Sequence, residues 1–131
     1  MCGIIGITSS KPVSSAIINS LRKLEYRGYD SAGLATLSEG IINEVKSEGR
    51  VENLEKNIAI KNMQGSVGIG HVRWATHGIP NTVNAHPHSS NNVSIVHNGI
   101  IENSTILKKF LISKGHKFKS QTDTEVIVHL I

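Results

Sequence analysis

The single cysteine of the chain stands at position 2, in Met1-Cys2-Gly3-Ile4-Ile5-Gly6. Initiator methionines are commonly removed before a small side chain, and here that would leave a thiol and a free α-amine on one Cα. A thiol of ordinary pKa, about 8.5, is only a few per cent thiolate near neutrality and gains from a base beside it. An α-amine of pKa about 8 is partly free base there, whereas a lysine amine at about 10.4 is almost wholly protonated. The pair has the composition of a nucleophile activated by its own terminus. The simpler reading is a small buried residue opening a strand, so the accompanying residues must decide.

Three further clusters suit a small polar substrate. Arg73-Trp74-Ala75-Thr76-His77-Gly78 ends an expected strand. An arginine there can grip a carboxylate with two hydrogen bonds, and Trp74 beside a glycine-containing loop has the makings of a lid. His97-Asn98-Gly99 ends another. An Asn amide with the following backbone N–H can stabilise an oxyanion, although Asn-Gly is also a common turn pair. Asp123, at the expected first turn of the last helix, can bind an ammonium or simply complement the helix N-terminus. His86-Pro87-His88, with His77 or His97, raises a metal site. No helical His-Glu-x-x-His, cysteine pair or local carboxylate accompanies them, so neither metal nor cofactor is expected.

The elements that must position these residues follow from periodicity. Cys2 to Ile7 reads as a short buried strand, and Pro12 as the opening of a helix whose stripe is Val13, Ile17, Leu21 and Leu24. Glu25 to Gly33 is glycine-punctuated loop. Gly33 to Leu37 and Ile41 to Lys46 form a hairpin around Ser38-Glu39-Gly40. Val51, Leu54 and Ile58 mark a weaker helix, and Ser66 to Arg73 another strand. Residues 74–92 lack periodicity and read as a functional loop. Val93 to His97 is a strand. A helix follows from Asn103 or Ser104 to just before Gly115, with Ile106, Leu107, Phe110 and Leu111 inward. Thr122 and Glu125 have capping-box spacing ahead of a final helix that stops within three turns, as though the sequence were cut. The pattern predicts an α+β fold with a mixed or antiparallel sheet.

The bulk numbers narrow the class. With 131 residues and 38% hydrophobic content, the chain is one domain's worth of globular protein. A lone cysteine precludes an internal disulfide and suits a reducing compartment. No apolar run reaches the roughly 18 residues of a membrane span, and no signal peptide precedes Cys2, so a cytoplasmic protein without membrane partners is expected. The net charge of +4 invites a nucleic-acid reading. The lysines between Lys108 and Lys119 read instead as the wet face of a helix, and no nucleic-acid partner is expected.

Taken together, the Cys2 start, LEYRGYDSAG (Leu24 to Gly33), RWATHG (Arg73 to Gly78), NAHPH (Asn84 to His88), HNGIIEN (His97 to Asn103) and TDTE (Thr122 to Glu125) resemble the class II glutamine amidotransferases of the N-terminal-nucleophile hydrolase type. Within these they resemble the glutaminase domain of the glutamine–fructose-6-phosphate aminotransferase family, from residue 1 to 131. The resemblance implies that Cys2 attacks the amide carbon of L-glutamine, with Asn98 and the N–H of Gly99 holding the oxyanion. It implies that Arg73, with Thr76 and His77, binds the glutamine carboxylate, that Asp123 binds the ammonium, and that Trp74 lies in the closing loop. His86 and the loop from Arg27 to Ser31, with Asp30, are implied in supporting roles. The implied fold is two mostly antiparallel sheets between helical layers, incomplete at the C-terminus, since the family's domain is longer. Residues 1–131 would be the N-terminal part of that domain. Fructose 6-phosphate would be met only through domains absent here. A downstream chain or a homo-oligomer is a further expected partner, and the alternative is an incompetent fragment needing that chain.

Overall fold

The computed structural model describes the backbone of residues 1–131 and all side chains except those of residues 58–61. Strand β1 (Gly3–Thr8) leads to helix α1 (Ser14–Leu24), a 3₁₀ turn (Glu25–Arg27), and the strands β2 (Ser31–Ser38) and β3 (Ile41–Glu48). Then come helix α2 (Val51–Lys61), strands β4 (Val67–Arg73), β5 (His88–Ser90) and β6 (Val93–Ile95), and helices α3 (Ser104–Ser113) and α4 (Glu125–Leu130). The order in the larger sheet is β1-β4-β2-β3, every pairing antiparallel, and β5 and β6 form a second antiparallel pair.

The expected hairpin is present. Glu39 and Gly40 both take positive φ, 51° and 76°, the combination that lets a two-residue turn follow the twist of its strands. The stripe on α1 is likewise present. Val13, Ile17, Ile18 and Leu21 are buried against Leu34, Val45, Leu54 and Val72, with Leu24 at the margin. Helix α1 starts later than Pro12 suggests: Val13 is its N-cap, with its N–H donating to the Gly65 carbonyl (3.0 Å) and its carbonyl accepting the Ile17 N–H (2.9 Å). Strand β1 is an edge strand, and Ile4 is exposed while Ile5 and Ile7 pack on the core. The Ile58 side chain, expected on the apolar face of α2, lies outside the described residues.

Side chains on the two faces of β4 sort the molecule into layers. A Cβ at Gly68 or Gly70 would meet Ile17 of α1, so that face belongs to the helices. The opposite face carries His71 and Arg73, and the His71 ring reaches the His97 carbonyl just after β6. The second sheet therefore lies over the first, with α4 packed on its far side and α3 against α4. This is the expected sandwich of helices, sheet, sheet and helices.

Several details depart from the periodicity. The stretch 74–92 contains β5, whose three residues pair with β6 and give too short a run for alternation to register. On α3 only Leu111 is buried, whereas Ile106 and Phe110, expected inward, are exposed. Glu125 does not complete a capping box with Thr122. Its carboxylate instead accepts from the N–H groups of Lys119 and Ser120 (both 2.7 Å), and Thr122 bonds His88 Nε2 at 2.8 Å. Helix α4 accordingly begins only at Glu125.

Gly33, near the start of β2, lies directly beneath the carbonyl of His86, just before β5, and a Cβ there would overlap that oxygen. Gly33→Ala is expected to push the two layers apart at that point and cost about 1–3 kcal/mol of unfolding free energy, as overpacked core sites do. Urea denaturation measures it, and a loss below about 0.5 kcal/mol, the range of ordinary surface substitutions, would show that the layers are not in contact there.

Candidate active site

Because Gly3 pairs with Val72, Cys2 falls beside the end of β4, where the chain turns at Arg73 and Trp74. Its half-buried sulfur accepts the Trp74 N–H at 3.2 Å, and the thiol lies 3.5 Å from the Trp74 carbonyl. The Cys2 carbonyl is gripped from two sides, by Arg27 Nε–H (3.1 Å) and by the Asn98 side-chain amide (3.1 Å). Cys2 therefore lies next to the Asn-Gly corner although 96 residues separate Cys2 from Asn98.

A cavity of about 250 Å³ opens beside the sulfur, walled by Arg73, Trp74, Thr76, His86, Asn98 and Asp123 among others. The Asn98-Gly99 corner is no hairpin turn, since it follows β6 as irregular chain. A Cβ at Gly99 would stand 2.8 Å from His97 Nε2, so a side chain there would require that ring to shift. Asn98 spends one amide hydrogen on the Cys2 carbonyl, which leaves its second free to serve an oxyanion. The arginine is less free than its sequence position suggests. Its guanidinium donates to the carbonyls of His77, Gly78 (3.4 Å) and Ile79 (3.3 Å), leaving its Nε–H and one Nη1–H for a ligand. Burial pulls its pKa below the ordinary value while Cys2, Asp30 and Asp123 oppose that pull, and it stays cationic as arginines do.

Asp123 is buried and precedes α4 rather than occupying its first turn. One carboxylate oxygen accepts the Ile101 N–H at 2.7 Å, tying the exit of the Asn-Gly corner to the helix start. Thr76 is exposed at the rim, and His77 turns outward, with its ring on the Thr76 hydroxyl (3.3 Å) and its carbonyl on Arg73. Arg27 and Asp30 stand behind the site rather than in it, since Asp30 Oδ2 accepts the Ala75 N–H at 2.9 Å. Sequence reasoning passed over Ile100, Thr124 and, above all, His71. The last is two residues before Arg73 on one strand, and alternation alone puts both on one face.

The buried histidines form a stack. The His71 and His86 rings lie 4.2 Å apart and nearly parallel, and His88 meets His86 edge-on at 4.6 Å. Burial, with neighbouring Arg73 and the other rings, and for His88 above all Lys46, lowers all three pKa values. His71 is at about 4, His88 at about 3, and His86 lies lower still. Among the described residues no three His, Cys, Asp or Glu side chains converge as metal ligands would.

Residues 56–131 match the family model described as a glutamine amidotransferase domain, and the chain belongs to that family. Its fold is shared with two solved structures. One is glutamine phosphoribosylpyrophosphate amidotransferase from B. subtilis complexed with ADP and GMP (TM-score 0.83, 29% identity, 99% of this chain and 29% of that one). The other is the allosteric regulatory enzyme of purine biosynthesis (TM-score 0.84, 30% identity, 99% of this chain and 29% of that one). The fold is thus that of an N-terminal-nucleophile amidotransferase. Within the family, the chain is similar to the isomerizing glutamine–fructose-6-phosphate aminotransferases of Clostridium acetobutylicum (56% identical over 133 residues) and Mesorhizobium japonicum (53% over 131). The enzyme of Pyrococcus horikoshii is 53% identical over 133 residues. All of this chain is covered in each case, and it spans 22% of those relatives' length.

The stacked histidines make stability depend on pH. Each must stay neutral when folded but takes a proton near pH 6.5 when unfolded, so the unfolded state binds more protons as pH falls below about 6.5. Stability is therefore fully present above that value and drains away toward about pH 4 for His71 and about 3 for His88. Glu125 adds to the loss at the acid end. Burial alone would raise its pKa, but hydrogen bonds from the Ser120 hydroxyl and the Lys119 and Ser120 N–H groups hold it below the usual carboxylate value. Urea midpoints measured between about pH 7 and 4.5 are expected to fall continuously. Equal midpoints across that span would mean the stack is hydrated.

Proposed function

We propose that this chain carries the glutaminase half-reaction of hexosamine phosphate synthesis, with Cys2 as nucleophile. The observation that carries the reading is the meeting, around one small cavity, of the Cys2 sulfur, the Asn98-Gly99 corner, Arg73 and Asp123. Met1, exposed at the cavity mouth, would first be removed to free the α-amine.

L-glutamine binds with its α-carboxylate on the free Arg73 hydrogens and Thr76, its ammonium on the open oxygen of Asp123, and its side-chain amide toward the sulfur. The α-amine accepts the thiol proton as sulfur forms a bond to the amide carbon. The carbonyl oxygen becomes an oxyanion held by the Asn98 amide and the Gly99 N–H. Collapse breaks the C–N bond, and the departing nitrogen leaves as ammonia with the amine's proton. Water, deprotonated by the same amine, then cleaves the γ-glutamyl thioester to glutamate and restores the thiol. His77, exposed and turned outward, shapes this site through its carbonyl on Arg73 rather than through its ring. His86 forms the floor, Trp74 the lid, and Arg27 and Asp30 the rear support. The reaction needs no metal or cofactor and belongs to the cytoplasm. Ammonia would reach fructose 6-phosphate through segments outside this chain, and the shared shelter matters because ammonia released to water near pH 7 is protonated.

Glutamate release from glutamine tests this directly. Cys2→Ala and an uncleaved N-terminal extension are each expected to abolish it. Asn98→Ala is expected to lower kcat by about 10²–10³-fold with little change in KM, as for other oxyanion donors. An unchanged kcat would remove Asn98 from the role.

A second reading is favoured by the exposed apolar side chains of Ile106 and Phe110 on α3, Leu130 on α4 and Ile131 just after it. On this reading the chain turns over only when a partner chain, supplying the following segment of its relatives, covers that face. Adding such a segment would then raise glutaminase activity from near zero, whereas the first reading expects activity without it.

A further inference from the structure

None of residues 27–30 lines the cavity, yet the loop packs on one peptide unit that the mechanism above leaves unexplained. The unit joins Arg73 to Trp74. A Cβ on Gly28 would lie 2.6 Å from the Arg73 carbonyl carbon, 2.7 Å from its oxygen and 2.7 Å from the Trp74 nitrogen, so the bare Gly28 backbone is stacked on that plane. Gly28 has an extended φ of 178°, which any residue adopts, and its requirement is therefore one of space. The Asp30 N–H donates to the carbonyl of the same unit at 3.1 Å, and the Asp30 carboxylate accepts the next N–H, that of Ala75, at 2.9 Å. The Asp30 carbonyl in turn accepts the Gly49 N–H (2.9 Å), which roots the loop in the turn after β3.

A trans peptide is planar, with its C=O and N–H pointing in opposite directions. Fixing the Arg73 carbonyl toward Asp30 therefore fixes the Trp74 N–H the other way, onto Cys2 Sγ at 3.2 Å. An N–H aimed at sulfur is worth most when the sulfur is charged. The geometry points to the Trp74 main-chain N–H as the donor that stabilises the Cys2 thiolate, and to Gly28 and Asp30 as the positioning residues that aim it. The neutral thiol has a weak alternative, its own proton lying toward the Trp74 carbonyl (3.5 Å), so the N–H contact favours the ionised form. Trp74 thus acts through its backbone as well as its ring. The inference rests on Cys2 as nucleophile, but not on glutamine as substrate.

Alkylation of Cys2 by iodoacetamide tests it on the whole chain without any turnover. Near pH 7, where thiolate is scarce, Gly28→Ala and Asp30→Leu are each expected to label about tenfold more slowly than the parent. At about pH 10, where a thiol of ordinary pKa is almost wholly ionised, they should match the parent within about twofold. Asp30→Asn, which keeps an oxygen for the Ala75 N–H, is expected to recover most of the neutral-pH rate. Equal labelling near pH 7, equal slowing at both pH values, or an Asn variant as slow as Leu would each overturn the proposal. If the substituted chains do not fold, the parent decides: its Trp74 amide proton resonance must move as the thiol ionises, and a stationary resonance overturns the proposal. A parent that labels as expected yet releases no glutamate from glutamine would defeat the glutaminase reading alone.

Discussion

The antiparallel register between β1 and β4 is the constraint from which the site follows. Pairing Gly3 with Val72 sets Cys2 beside the Arg73–Trp74 turn, and pairing Ser31 with the same Arg73 brings the 27–30 loop up behind it. A slip of one residue in either pairing would send alternate side chains to the opposite face. His71 and Arg73 would then point into the helix layer, where Ile17 and Leu21 already fill the space over Gly68 and Gly70. The glycines on one face of β4 and the polar residues on the other therefore enforce the same alignment.

Contact between the two sheets includes a stack of neutral imidazoles. His71 holds the His97 carbonyl at 3.1 Å, and so steadies the strand exit that bears Asn98. His86 stacks on His71 while its carbonyl presses on Gly33. Among the described residues, both ring nitrogens of His86 lack a hydrogen-bond partner, as does Nδ1 of His71. Aliphatic side chains would fill such a layer without that polar deficit. The histidines join rigidity to a polar floor under the cavity, a combination that aliphatic packing does not give.

Much of this was legible in the sequence, for reasons that differ by residue. The helix stripe Val13-Ile17-Leu21 and the hairpin at Glu39-Gly40 are local, because the pattern and the structure span the same few residues. The cavity residues Cys2, Arg73, Asn98 and Asp123 were legible as chemical types and by family resemblance, while their mutual placement depends on pairings 72 and 96 residues apart that no local pattern encodes. Strand β5 was too short to show a period. Ile106 and Phe110 have the spacing of a buried face, and spacing cannot report whether anything lies opposite it. Asp123 reads in sequence as an ammonium ligand or a helix-start charge and Glu125 as half of a capping box, yet each accepts backbone N–H groups from another segment.

The grip on the Cys2 carbonyl has a consequence for how the chain comes into being. Its holders arrive from 25 residues away on one side and 96 on the other, and the sulfur's own partner from 72. Contacts so distant along the polypeptide form after local helices and hairpins, once loop closure has been overcome. Until then residue 2 is an unremarkable thiol on a mobile end. A nascent or half-assembled molecule would thus be chemically quiet, and reactivity would switch on together with the last stage of docking.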